Sequence, residues 1–472
     1  MVTSALAPIP VLHPAASRAA WLLAQEARAL LTRLDRVKPF VLQYTMVPAA
    51  ALMPAAQVGI DRYLMRGRRE LRRRILGYLH WLGGAGRAAP VPKMQLGFAV
   101  LKLQFNSELS QLDLFAEAIG QRSEQETGIW LAGLDAAAED ALALDGDYFE
   151  SPPIVCHLAR GIGGAIRRAR TRLPGGGTSP VAVIRIPRER MIGYGIASSL
   201  VHEVGHQGAA LLGLKDSLLA ALRRLRDQAN AAARPGWELL LQWINEIIAD
   251  VWAIARIGIS STLGLMGIVS LPRRFVFRVD TEDPHPFPWI RMRLSCAIGN
   301  ALYPHRQWQE LAATWDTMYP PTGLAPEPES LLRSLLAVMP AFVDALLSHR
   351  PASLRGRALG EVLRMPTRHP DRLLATYAAW RARPSLMFAA APSHVFAVFG
   401  RARIAGRLTP EEENRLLGRL ITHWALHSTL DVLDTSARQW RDVRQSAPNQ
   451  TFTTQLPQPL PLQANAAVAV TR

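Results

Sequence analysis

The chain reads as an α+β fold, predominantly helical, with one small sheet. Three observations lead there. Apolar residues recur at helical spacing over most of the 472 residues. Val181-Ala182-Val183-Ile184-Arg185-Ile186 is the most strand-like run in the chain. Pro187 stops that strand, and a helical pattern follows from about residue 189 to 214.

The elements are expected in this order. Residues 16–36 form an amphipathic helix, and residues 61–83 form a second, basic through the run Arg66 to Arg74. Between them, Pro39 to Ile60 is uncharged and has the length and basic flank of a membrane span. Pro39, Pro48 and Pro54 would break such a helix, so a buried or surface-lying segment is expected, with peripheral membrane contact left open. Residues 85–93 look like a linker. Residues 95–145 are mainly helical, with a start at Asn106-Ser107, and helical signal returns at 155–170. Residues 174–180 form a loop before the strand. Trp237 to Ile257 reads as one strong helix, and the uncharged run to Leu271 as a buried segment. Residues 272–288 are irregular, 289–302 helical and 317–330 a Pro-rich linker. A helical C-terminal region has its clearest start at Thr409-Pro410-Glu411-Glu412: an N-cap, a proline at the first position, then acids. The organisation is therefore 1–90 N-terminal helical region, 91–318 central domain, 319–445 C-terminal helical region and 446–472 disordered tail.

A hydrophobic content of 49% with 19% charged residues belongs to a folded protein. The net charge of +16 is almost all arginine, since lysine occurs only at Lys38, Lys93, Lys102 and Lys215. That bias suits a GC-rich bacterial genome. A polyanionic partner is the sharper explanation, but no aromatic residues interleave with the basic runs, which argues against nucleic acid. Cys156 and Cys296 form no CxxC pair, so neither a disulfide framework nor a thiolate metal site is expected. The first residues lack the basic and apolar regions of a signal peptide. A cytoplasmic location, with membrane association left open, is the expectation.

His202-Glu203-Val204-Gly205-His206 carries the chemistry. Two histidines four apart share a helix face, so both imidazoles reach one ion, and Glu203 between them is placed to take a proton from water. Residues 195–201 are small or apolar, so the pentad's polar side chains need a partner in a core, and a metal supplies one. A third histidine at HExxHxxGxxH spacing is absent, since that position is Leu212. Glu246, on a separate helix, is the better third ligand. Asp250, one turn on, is placed to accept from the outer nitrogen of His202 and fix its tautomer. Two histidines and a glutamate form a catalytic Zn2+ set. His423 and His427 are also four apart, but no glutamate stands between them, and a structural role is expected.

HEVGH at 202–206, EIIAD at 246–250 and His285-Pro286-Phe287-Pro288-Trp289-Ile290-Arg291 together resemble the gluzincin zinc metallopeptidases, within them the HtpX and CAAX-protease-like family. The resemblance spans about residues 180–300. It implies a zincin-like core with the sheet beside the pentad helix, and extra helical regions at both ends. It implies zinc on His202, His206 and Glu246, with Glu203 as general base. It also implies that His285 hydrogen-bonds the oxyanion while Arg291 braces it or the substrate carbonyl. Transmembrane helices are common in that family, whereas this chain offers at best the one poor candidate at 39–60. The expected function is a zinc metalloendopeptidase acting on protein or peptide substrates. The alternative is a catalytically idle, zinc-stabilised scaffold presenting basic helical surfaces to a partner.

Overall fold

The computed structural model describes residues 14–36, 46–161, 163–173, 177–188, 193–280 and 282–446. Most of the expected tail, and part of the uncharged run at 39–60, lie outside those residues. Met1–Thr429 forms one compact unit, and Leu430–Arg472 is counted separately, helical through Ser446 in its described part. The fold is predominantly helical, with one three-stranded sheet.

Helices α1 (Pro14–Arg36), α2 (Pro54–Gly83) and α3 (Val91–Gly120) bury one cluster that includes Leu30, Leu34, Leu71, Ile75, Phe98 and Phe105. Tyr78 donates to the carbonyl of Met94 at 2.8 Å and ties α2 to the start of α3. The expected domain boundary at residue 90 therefore falls inside a helical bundle. Residues 85–93 are its turn, where Pro92 sits at the start of α3 and favours the helix. Asn106-Ser107 starts no helix. It lies within α3, where the carbonyl of Asn106 accepts from Ser110 Oγ at 3.0 Å.

Helix α4 (Gln125–Leu142) leads into strands β1 (Ile154–Ala159), β2 (Ala165–Arg167) and β3 (Ala182–Pro187). Their spatial order is β1-β3-β2, with β1 parallel and β2 antiparallel to β3. This replaces the helical signal expected at 155–170. The first five residues of β1 are buried, so the alternation that marks a strand is missing. Val155 and Val183 face a cluster with Ile60, Leu64 and Phe115, while Cys156 and Ile184 face the main core. Asp135 of α4 pairs with buried Arg122 at 2.8 Å and accepts from the Cys156 amide at 2.7 Å, which pins α4 to β1.

Helix α5 (Tyr194–Leu211) carries the pentad and packs between the sheet and helices α6 (Leu214–Gln228), α7 (Arg234–Gln242), α8 (Ile244–Ile257) and α9 (Ile259–Val269). The single helix expected over Trp237–Ile257 is two, because the buried Trp243 at φ −86°, ψ 2° breaks the run. Short helix α10 (Arg273–Val276) precedes α11 (Pro288–Leu302) and α12 (Arg306–Met318). The C-terminal helices are α13 (Pro326–Ser348), α14 (Leu359–Leu363), α15 (Pro370–Ala382), α16 (Ser385–Phe388), α17 (Pro392–Ile404) and α18 (Pro410–Ser446). Phe342, Phe396, Phe399 and Trp424 share one core with α5 and α8, so no boundary separates 319 onward from the pentad. Among the described residues α13 alone is long and apolar enough to cross a membrane; it contains Pro340 and contributes the fully buried Leu335, Phe342 and Leu346 to that core.

Candidate metal centre

The site exists because α5 and α8 touch backbone to backbone. A Cβ on Gly205 would lie 2.8 Å from both Cα and O of Ala249, and 2.9 Å from Trp252 Cβ. Only glycine permits that approach. It brings the face of α5 bearing His202 and His206 against Glu246, near the start of α8. Donor atoms of these three residues all lie within 4.8 Å of one another. Glu246 Oε2 is 3.1 Å from His202 Nε2 and 3.4 Å from His206 Nε2. These residues could hold a metal ion.

The outer nitrogens are also held. His202 Nδ1 is 2.8 Å from Asp250 Oδ1, and the Asn245 amide is 3.2 Å from His206 Nδ1. Asp250 in turn is gripped by both arms of Arg291, Nε to Oδ2 at 2.8 Å and Nη2 to Oδ1 at 2.9 Å. Arg291 therefore serves Asp250, whereas the resemblance gave it to the oxyanion or the substrate carbonyl. The reason is burial: Asp250 is 8% exposed, and so enclosed a carboxylate needs a cation.

The charges follow from these contacts. Burial opposes ionisation of Asp250, but Arg291 and His202 overcome it and hold the carboxyl well below the usual range. Burial likewise works against Glu246, and hydrogen bonds from His202, His206 and His285 outweigh it in the same direction. For His202, burial disfavours the charged ring, yet Asp250 and Glu246 push its pKa up to about 9. These values describe the metal-free cluster.

Glu203 is 8% exposed and faces the same cleft. Burial raises its carboxyl, against the pull of His202 and His206. A Cβ on Gly164 would sit 2.7 Å from Glu203 Oε1, so the main chain beside β2 comes right up to that carboxylate. His285 stands on the opposite wall, with Nε2 3.2 Å from Glu246 Oε2 and Nδ1 2.7 Å from Asp283 Oδ1. The Glu246 hydrogen bond raises its pKa despite partial burial. The cleft encloses about 290 Å³, lined by Gly164, Ala165, Ile166 and Arg168 on one side and by His202, Glu203, His206, Asn245, Glu246 and His285 on the other.

Sequence reasoning singled out neither Gly164, Arg168, Asn245 nor Asp283 as site residues. Asn245 directly precedes Glu246, and Asp283 stands two before His285, so proximity to the motifs was their only signal. The second histidine pair stands apart from this site: His423 Nε2 lies 3.0 Å from the carbonyl of Phe388. Searches against protein-family models, curated proteins and solved structures find no match for this chain.

Proposed function

We propose that the protein is a zinc-dependent endopeptidase with a zincin-like core, and that His202, His206 and Glu246 hold the ion. One observation carries this reading. Glu203 lines the same cleft as the three donors, yet forms no part of the donor set. A purely structural metal site has no use for a buried carboxyl left over beside it.

The donor set fits zinc. Two imidazole nitrogens and one carboxylate oxygen are the donor types of a catalytic zinc site, and His202, His206 and Glu246 would supply them. Bonds of about 2.0–2.1 Å imply donors about 3.3–3.4 Å apart, and the structure has pairs at 3.1 and 3.4 Å. When bound, zinc acidifies water toward neutrality and polarises a carbonyl.

The remaining work falls to the chain. Glu203 takes a proton from water on an Oε atom and delivers it to the nitrogen of the departing amine. Its raised pKa lets it hold that proton between the two events. His285 offers Nε2–H to the oxygen on which negative charge develops, and Asp283 steadies the ring from behind. Asp250 keeps His202 in the tautomer that presents Nε2 to the metal. β2 is an edge strand along the cleft, so an extended peptide can add to it by main-chain hydrogen bonds. The three motifs that resemble the gluzincins support the same assignment.

The test is Glu203→Gln. The variant should bind one zinc as the parent does and lose cleavage of a peptide library by about 10²- to 10⁴-fold. Cleavage at the parental rate ends the proposal. A parent that binds zinc yet cuts no peptide leaves the protein as a zinc-stapled scaffold.

A further inference from the structure

We propose that Arg168 is a specificity-determining residue of this cleft, and that it selects a substrate bearing a carboxylate near the scissile bond. The inference deepens the peptidase reading and rests on it.

The argument is a charge inventory. Apart from Glu203, which lies in the field of His202, His206 and His285, the carboxylates in and around the cleft have direct cationic or imidazole partners. Glu246 faces three imidazoles, Asp250 has Arg291, and Asp283 has His285. The neighbouring Arg170 is taken by Glu150 at 3.1 Å. Arg168 differs. It lines the cleft and is partly buried, yet no acceptor among the described residues pairs with its guanidinium. Only its backbone carbonyl is engaged, accepting from Thr171 Oγ1 at 2.6 Å.

Its placement is fixed rather than incidental. The next residue, Ala169, donates its amide to Gln207 Oε1 at 2.8 Å. Gln207 is fully buried on α5 and directly follows the ligand His206. The backbone bearing Arg168 is thereby fastened to the helix that carries the metal ligands. Arg168 stands one residue past the end of β2, and with Ala165 and Ile166 of that strand it lines the cleft. A peptide added along β2 would run past this side chain.

A partly desolvated guanidinium without an acceptor gains from a carboxylate, which its planar fork binds in two places. The same charge disfavours substrates carrying lysine or arginine at that subsite. The carboxylate can come from an aspartate or glutamate side chain or from a peptide C-terminus. The chemistry is common to both, and the experiment separates them.

Matched peptides carrying Glu, Gln or Lys at each position flanking the cleavage point would be assayed with the zinc-loaded protein, each with a free and an amidated C-terminus. The Glu peptide should exceed its Gln twin in kcat/KM by about 10- to 100-fold at one position. Arg168→Gln should collapse that ratio to near one, and Arg168→Glu should invert it in favour of Lys. Loss of preference on amidation alone would assign the carboxylate to the chain terminus. Binding of the same peptides to the zinc-loaded Glu203→Gln protein, by fluorescence anisotropy, gives a readout independent of turnover. If nothing is cleaved but Glu peptides bind about tenfold tighter in an Arg168-dependent way, the endopeptidase reading falls and the Arg168 assignment stands. Equal handling of Glu and Gln peptides in both assays, or a ratio that survives Arg168→Gln, overturns the assignment.

Discussion

Gly205→Ala tests the architecture of the centre without assuming any activity. The added Cβ meets Cα and O of Ala249 at 2.8 Å, whereas ordinary contact begins near 3.4 Å. About 0.6 Å must therefore be found between α5 and α8. Both contacting atoms belong to the backbone of a fully buried helix, so no side chain can turn aside and the helices must part. His206 Nε2 and Glu246 Oε2, now 3.4 Å apart across that crossing, would open to about 4 Å, beyond the roughly 0.5 Å tolerance of a working site. Overpacking costs about 1–3 kcal/mol, and the better helix propensity of alanine returns about 1 kcal/mol of it. Stability of the metal-free protein should fall by roughly 0–2 kcal/mol in denaturant titration, while zinc affinity, measured against a chromophoric chelator, should fall by about tenfold or more. Gly77→Ala is the control: nothing lies within 4 Å of its Cβ, and it should be neutral or stabilising by up to about 1 kcal/mol. A Gly205→Ala protein that takes up zinc with parental affinity would refute the claim that this contact sets the ligand spacing.

Three further outcomes follow from the geometry. Asp250→Asn removes the anion behind His202 and leaves Arg291 buried without its ion pair. It should weaken zinc binding by about 10- to 100-fold and destabilise the metal-free protein by about 3 kcal/mol or more, and parental values in either titration would contradict the roles given to this pair. Gly164→Ala pushes a methyl group against Glu203 Oε1; kcat should drop by about tenfold with zinc stoichiometry intact, and an unchanged kcat would separate Gly164 from the base. The third concerns pH. His202 in the metal-free fold is raised from 6.5 to about 9, so it binds its proton more tightly folded than unfolded. Its contribution to stability is complete below about pH 6.5 and is lost as pH rises through about 9. Near pH 8 zinc must expel that proton, and calorimetry in buffers of different ionisation enthalpy should register about one proton released per ion; no release would contradict the assignment.

The site was legible where its geometry is local. His202 and His206 share a turn, as do Glu246 and Asp250, so spacing alone aligned each pair on its helix. Which faces meet is decided by Gly205 and Ala249, far apart in sequence, and no spacing encodes that contact. Arg291 shows the same limit: the motif put it near the site, but only the fold shows that its anion is Asp250. The sheet was half legible. β3 has β-branched density, whereas β1 is buried on both faces and β2 has three residues, too few to display a period. Prolines misled about domains. Pro92 and Pro326 resemble linker residues, yet they stand at the second and first positions of helices, and proline in a first helical turn marks a start as well as a break.

The hydrogen bonds of the cluster place close demands on its protons. Three Nε2 atoms, from His202, His206 and His285, converge on the single oxygen Glu246 Oε2 at 3.1, 3.4 and 3.2 Å. Each can donate there only if Nε2 carries the proton. His202 and His285 also turn Nδ1 toward the carboxylates of Asp250 and Asp283, so each ring satisfies both contacts only as a cation. Two adjacent cationic rings repel one another, and one of them sits in a buried pocket. Withdrawing a proton from His202 Nε2 frees a lone pair aimed at the same point as that of His206, and it leaves the Asp250 hydrogen bond in place. The three side chains at this crossing, His202, His206 and Glu246, are the group that could hold a metal ion, and His285 borders that group through Glu246 Oε2 at 3.2 Å while lining the cleft.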